Sequence, residues 1–122
     1  MSAKVLIVED EPHISQMLQD AFQLEGFDVE AAYDGDSAIE QARFGLPDAM
    51  MLDIGLPGKS GWEVLIYLKS DPSTSAIPIV ILSALTQQED IKKGLSLGAA
   101  KYLTKPCDPL QAVDTIKELL AM

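Results

Sequence analysis

The stretch Val5-Leu6-Ile7-Val8-Glu9-Asp10-Glu11-Pro12 decides the fold. Four consecutive apolar residues without alternation suit a short strand covered on both faces, as in a parallel sheet. Three acids end the run, and Pro12 then stands at N1 of a helix, where a missing backbone N–H costs nothing. Behind it, Ile14, Met17, Leu18, Ala21 and Phe22 recur at the spacing of one helical stripe. Gly26 follows as a C-cap. The segment therefore reads as strand, acidic turn, helix.

That unit repeats outward along the chain. Further apolar runs fall at Val29–Ala32, Ala49–Leu52, Ile79–Leu82 and, more weakly, Tyr102–Leu103. A second helix is marked by Ala38, Ile39 and Ala42 after the turn Asp34-Gly35-Asp36, and a third by Trp62, Leu65, Ile66 and Leu68. Thr86-Gln87-Gln88-Glu89 predicts a capping box opening a fourth helix, with Ile91, Leu95 and Gly98 on its inner face. Asp108-Pro109 predicts an N-cap and N1 for a fifth, with a stripe of Ala112, Val113, Ile116, Leu119 and Leu120. Strict alternation of this kind implies an α/β fold, a doubly wound five-stranded parallel sheet with helices on both faces.

Composition narrows the class. The chain has 122 residues and is 48% hydrophobic and 23% charged, which suits one globular domain spanning 1–122. A single cysteine, Cys107, allows no internal disulfide, and Met1-Ser2-Ala3-Lys4 runs straight into the first strand with no leader pattern. The longest apolar stretch, Ala76–Leu85, is interrupted by Pro78 and Ser83 and falls short of a membrane span. A cytoplasmic location is expected. The net charge of −10 argues against direct nucleic-acid binding or attraction to an anionic membrane. Residues 1–40 hold ten acids and one base, so nearly all of that charge lies in the first third.

In a doubly wound sheet, ligands bind beyond the carboxyl ends of the strands. The residues there are Glu9, Asp10 and Glu11, then Asp53, Ser83 with Ala84, and Thr104 with Lys105. Clustered carboxylates repel unless a cation neutralises them, and oxygen ligands without His or Cys suit Mg²⁺. With Lys105 and the Ser83 hydroxyl beside them, the set suits phosphoryl transfer, and Asp53 on the central strand is the best-placed nucleophile. A plainer reading makes Glu9, Asp10 and Glu11 helix caps. His13 reads as solvated, Tyr102 alone as an ordinary sheet aromatic, and Met17, Met50, Met51 and Trp62 as packing.

Four fragments in order, Val5–Asp10, Met51–Gly61, Ile79–Ala84 and Gly98–Pro106, resemble the receiver domain of two-component response regulators, the CheY-like family. The resemblance covers essentially the whole chain. It implies a flavodoxin-like (βα)5 fold with strand order 2-1-3-4-5. It further implies that Asp53 is phosphorylated by a histidine kinase or histidine phosphotransfer protein. Mg²⁺ would be held by Asp10, Asp53, the backbone carbonyl of Gly55 and, through a water, Glu9. Lys105 would contact the phosphoryl group, the Lys105–Pro106 peptide would be cis, Ser83 would move to the phosphoryl oxygen, and Tyr102 would turn inward as the second switch residue. Such a domain is a signalling phosphoacceptor rather than an enzyme, catalysing only its own phosphorylation and slow dephosphorylation. Leu56, Ser60 and Cys107 depart from the family's usual Met, Asp and Phe; at Cys107 the local packing should differ.

Gly55 and Leu85, two residues after Asp53 and Ser83, carry no side chain able to orient water, so slow loss of the phosphoryl group is expected. Helix 4, strand 5 and helix 5 form the output surface by resemblance. Residues 87–122 balance five acids with five bases, so this face need not repel an acidic partner. By resemblance, dimer-forming receivers carry acids before the strand 5 Tyr and arginines in helix 5; Ala100-Lys101 precede Tyr102 and the fifth helix lacks arginine, so a monomer is favoured. Rival readings fit less well. A fixed binding module would not need all five of Glu9, Asp10, Asp53, Ser83 and Lys105. A flavin binder would need a phosphate loop where Glu-Asp-Glu-Pro stands. A dehalogenase-type phosphatase would need a second acid at Gly55.

Overall fold

In a computed structural model of the chain, which describes residues 2–122, the apolar runs become strands and the intervals become helices. Met1, where the leader reading began, lies outside the described residues. The order is β1 (Lys4–Val8), α1 (Pro12–Leu24), β2 (Asp28–Ala32), α2 (Gly35–Gly45), β3 (Ala49–Asp53), α3 (Gly61–Ser70), β4 (Ile79–Ser83), α4 (Gln88–Ser96), β5 (Lys101–Thr104) and α5 (Pro109–Leu119). All pairings are parallel and the sheet order is β2-β1-β3-β4-β5. No helix among the described residues is long and apolar enough to cross a membrane.

Alternation of side chains across each strand divides the interior in two. Leu6, Val8, Met50, Leu52, Ile79 and Ile81 face α2 and α3, which contribute Ala38, Ile39, Ala42, Val64, Leu65 and Leu68. Val5, Ile7, Ala49, Met51, Val80 and Leu82 face α1 and α5, which contribute Leu18, Phe22, Ala112, Val113 and Ile116. Phe22 also meets Phe27 edge-to-face at 5.3 Å. β3 and β4 are buried throughout, whereas β2 alternates between exposed and covered positions and β5 is only half-covered. Burial on both faces is thus a property of the interior strands. The two edges show the weaker apolar signal because one flank of each is open.

The helix ends follow local chemistry. The Glu11 carboxylate accepts from His13 N at 3.0 Å to cap α1, and Gly26 leaves that helix with φ +89°. Asp34 caps α2 through Ser37 N at 2.8 Å, and Asp108 caps α5 through Leu110 N at 2.9 Å.

Four sequence expectations need correcting. The Thr86–Glu89 capping box does not form; α4 starts at Gln88, with Gln87 as a cap that makes no side-chain bond. Gln87 takes that place instead, its carbonyl accepting from Asp90 N at 3.0 Å and Ile91 N at 3.2 Å. On α4 Gly94 is buried and Ile91 half-buried, as is Leu97 just beyond the helix, whereas Leu95 and Gly98 are exposed. A Cβ on Gly94 would lie 2.7 Å from Ile81 Cδ1 and 3.0 Å from the Tyr102 ring, so close approach sets the helix phase. In α3, Val64 rather than Ile66 faces inward, and in α1 Met17 is half-exposed.

Candidate functional site

The parallel sheet places the ends of β1, β3, β4 and the residues after β5 at one edge, where the strand order switches between β1 and β3. A cleft of about 360 Å³ opens there, lined by Glu9, Asp10, Asp53, Gly55, Ser83 and Lys105 among others. Glu9 and Asp53 are buried at 1% and 6% exposure, while Asp10 is exposed. One carboxylate oxygen from each of the three lies within 4.8 Å of the others.

Lys105 bridges this cluster. Its Nζ stands 2.7 Å from Glu9 Oε1 and 3.2 Å from Asp53 Oδ2. Glu9 Oε1 has no partner other than this ammonium. The remaining oxygens take backbone amides: Glu11 N donates to Glu9 Oε2 at 3.0 Å and Gly55 N to Asp53 Oδ1 at 3.2 Å. Burial pushes the Glu9 carboxyl above the ordinary carboxylate range, against the pull of Lys105. Burial opposes charge on Lys105 too, yet Glu9 and Asp53 together hold its ammonium above the ordinary lysine value. Three carboxylates meet one ammonium here, so the cluster holds more negative charge than Lys105 neutralises.

An all-oxygen donor set, short of positive charge, fits a hard divalent cation such as Mg²⁺. The plainer capping role belongs to Glu11 alone; Glu9 and Asp10 cap nothing.

Ser83 is buried, and its Oγ accepts from Leu85 N at 3.0 Å. Tyr102 lies outside the cleft, its ring partly buried over Gly94 and its hydroxyl donating to Leu85 O at 2.7 Å. The Lys105–Pro106 peptide is cis. His13 is exposed and Cys107 is half-buried, and neither lines the cleft. Cys107 instead borders a second groove of about 290 Å³ with Ile14, Met17 and Leu18, which shares Lys105 with the first. The smaller side chain at that corner coincides with an open groove.

Composition and motif did not single out Gly61 as a structural requirement. Its N–H donates to Ile54 O at 2.8 Å, and a Cβ there would collide with the carbonyl oxygen of Asp53. In the sequence Gly61 closes the Met51–Gly61 fragment and opens a helix, where most residues would serve. Gly61→Ala is expected to destabilise the fold by about 1–3 kcal/mol through overpacking against backbone, despite the better helix propensity of alanine. Thermal unfolding checks this; an unchanged or raised midpoint would show that the turn after β3 can yield.

Fold and site together define a doubly wound α/β domain with a lysine-bridged acidic cleft at its switch point. The profile of the response regulator receiver domain matches residues 5–117. The phosphate regulon transcriptional regulatory protein PhoB of Escherichia coli is 39% identical over 120 residues, covering 98% of this chain and 52% of that protein. The response regulator PleD of Caulobacter vibrioides is 37% identical over 119 residues, covering 98% and 26%. The chain thus spans about half or less of these relatives' length. Among solved structures, a response regulator from Chloroflexus aurantiacus aligns with TM-score 0.93 at 32% identity over 100% of both chains. Chemotaxis response regulator CheY4 of Vibrio cholerae aligns with TM-score 0.91 at 30% identity, covering 98% and 99%. The chain belongs to the receiver-domain family of response regulators.

Proposed function

We propose that Asp53 accepts a phosphoryl group from a phosphohistidine donor and that this charge switches the face formed by α4, β5 and α5. The observation that carries the reading is Lys105, 3.2 Å from Asp53 and 2.7 Å from Glu9, in a cleft too acidic for one lysine to neutralise. An Asp53 carboxylate oxygen attacks phosphorus in line; the phosphorus–nitrogen bond breaks and its electron pair stays on the donor imidazole. Asp10, Asp53, the Gly55 carbonyl and, through water, Glu9 would hold Mg²⁺. When bound, Mg²⁺ supplies neutralising charge for the phosphoryl oxygens.

Lys105 contributes a fixed positive charge on the other side of the cleft. Ser83, whose Oγ now accepts from Leu85 N, donates its hydroxyl proton to a phosphoryl oxygen. Because Leu85 O also accepts from Tyr102, movement of Ser83 is felt at β5. α4 offers a responsive element: its N-cap makes no side-chain bond and Gly94 is its one buried residue. Leu95 and Leu110 expose apolar surface on that face for a downstream protein. A histidine kinase or phosphotransfer protein in the cytoplasm is the donor, approaching over α1 beside the acidic first third of the chain.

Incubation with a small phosphodonor, with Mg²⁺ or with a chelator, tests the reading: uptake should need the metal, and equal uptake without it would count against the site. The adduct should then persist. Gly55 and Leu85 border the cleft without a polar side chain to position water, so a half-life of only seconds in the isolated protein would reject this expectation.

A further inference from the structure

The loop from Ile54 to Ser60 carries Gly55 and joins β3 to α3, and its far end rests on the first turn of α2. A Cβ on Gly35 would lie 2.5 Å from Lys59 O, 2.7 Å from Lys59 Cβ and 3.1 Å from Val64 Cγ2. The next residue, Asp36, pairs with Lys59 Nζ at 2.8 Å. Steric fit and charge therefore meet on one loop residue. The loop has little slack: Ile54 and Leu56 are buried in the core, Gly58 turns at φ +71°, and Gly61 ties back to Ile54.

We infer that the start of α2 is the seat of this loop, with Gly35 as a positioning residue for Gly55 and, through the Gly55 N–H, for the Asp53 carboxylate. The inference rests on the reading that the Gly55 carbonyl and Asp53 hold Mg²⁺. A methyl group at Gly35 meets backbone, which cannot swing aside, so Lys59 is lifted and the anchored segment behind it shifts. No property of Gly35 as a helix residue requires glycine there; only the approach of Lys59 does.

Two readouts test this in the intact chain: Mg²⁺ affinity by calorimetry, and exchange of the Gly55 amide in metal-free protein, since that N–H donates to Asp53 at 3.2 Å. Gly35→Ala should weaken Mg²⁺ binding by about tenfold, as outer-shell changes do, and should speed Gly55 exchange. Two controls lie on the same helix. Gly45→Ala, whose Cβ would meet the Glu30 carboxylate at 3.2 Å and Lys4 Nζ at 3.8 Å, both side-chain ends, should change neither. Ala42→Gly, which loosens buried packing away from the seat, should lower stability without moving either readout.

Wild-type values in folded Gly35→Ala, or equal losses in Ala42→Gly, would overturn the inference. Should Gly35→Ala fail to fold, Asp36→Lys takes its place. It should weaken binding and speed exchange, and the swap Asp36→Lys with Lys59→Asp should restore both; no change in Asp36→Lys would overturn the seat. If wild type binds no Mg²⁺, the phosphoacceptor reading fails, while the Gly55 amide still decides whether the seat exists.

Discussion

Lys105→Met is expected to slow phosphoryl uptake by about a hundred- to a thousandfold, the usual loss for one preorganised donor to developing charge, while tightening Mg²⁺ binding. The opposite signs follow from the bridge it forms. Removing the ammonium leaves Glu9 and Asp53, both nearly fully buried, facing each other and Asp10 with nothing to offset their charge. A divalent cation then gains from the larger negative charge, but the transferring phosphoryl group loses its partner opposite the metal side. In metal-free protein the same change should cost on the order of 3 kcal/mol, since breaking a buried pair strands the remaining charge. Added Mg²⁺ should recover much of that through binding to the native state alone. Calorimetric titration, uptake kinetics and unfolding with and without Mg²⁺ check the three parts. Parallel loss of Mg²⁺ affinity and of uptake would mean that Lys105 organises the cleft rather than acting through its charge.

Asp53→Asn is expected to abolish uptake while keeping the fold. The amide matches the carboxylate in shape, so the Gly55 N–H keeps an oxygen to bond, and β3 remains buried throughout. The neutral group loses its attraction to Lys105 but also its repulsion by Glu9 and Asp10, and these oppose each other. Lys105 keeps its 2.7 Å contact with Glu9. What disappears is the anionic oxygen that attacks phosphorus, together with one Mg²⁺ ligand. The loss should therefore be complete in chemistry and small in stability, a combination that global damage does not produce.

How far the sequence reaches is set by whether a feature is local. Val5–Val8, Ala49–Leu52 and Ile79–Leu82 are apolar without interruption because both faces of each strand are covered, and that property is written along the chain. Asp34, Asp108 and Glu11 cap their helices through residues two or three positions away, which is also local. Once the alternation implies a parallel sheet, Glu9, Asp10, Asp53, Ser83 and Lys105 must gather at its carboxyl edge.

The failures are tertiary. Thr86 and Glu89 have the pattern of a capping box, but Gln87 O receives the first helical amides and α4 starts beyond Thr86. Gly94, Gly61 and Gly35 each yield to a neighbour that arrives from elsewhere in the chain, and a glycine in a helix does not announce who approaches it. The distances from Lys105 to its two acids likewise depend on packing rather than on spacing.

The central claim is that Asp53 is where the phosphoryl group is carried. Intact mass after incubation with a small phosphodonor and Mg²⁺, for wild type and Asp53→Asn side by side, tests it most directly. The wild type should gain the mass of one phosphoryl group and the variant none. An adduct of the same mass on Asp53→Asn, or no adduct on a folded wild type that binds Mg²⁺, would contradict it.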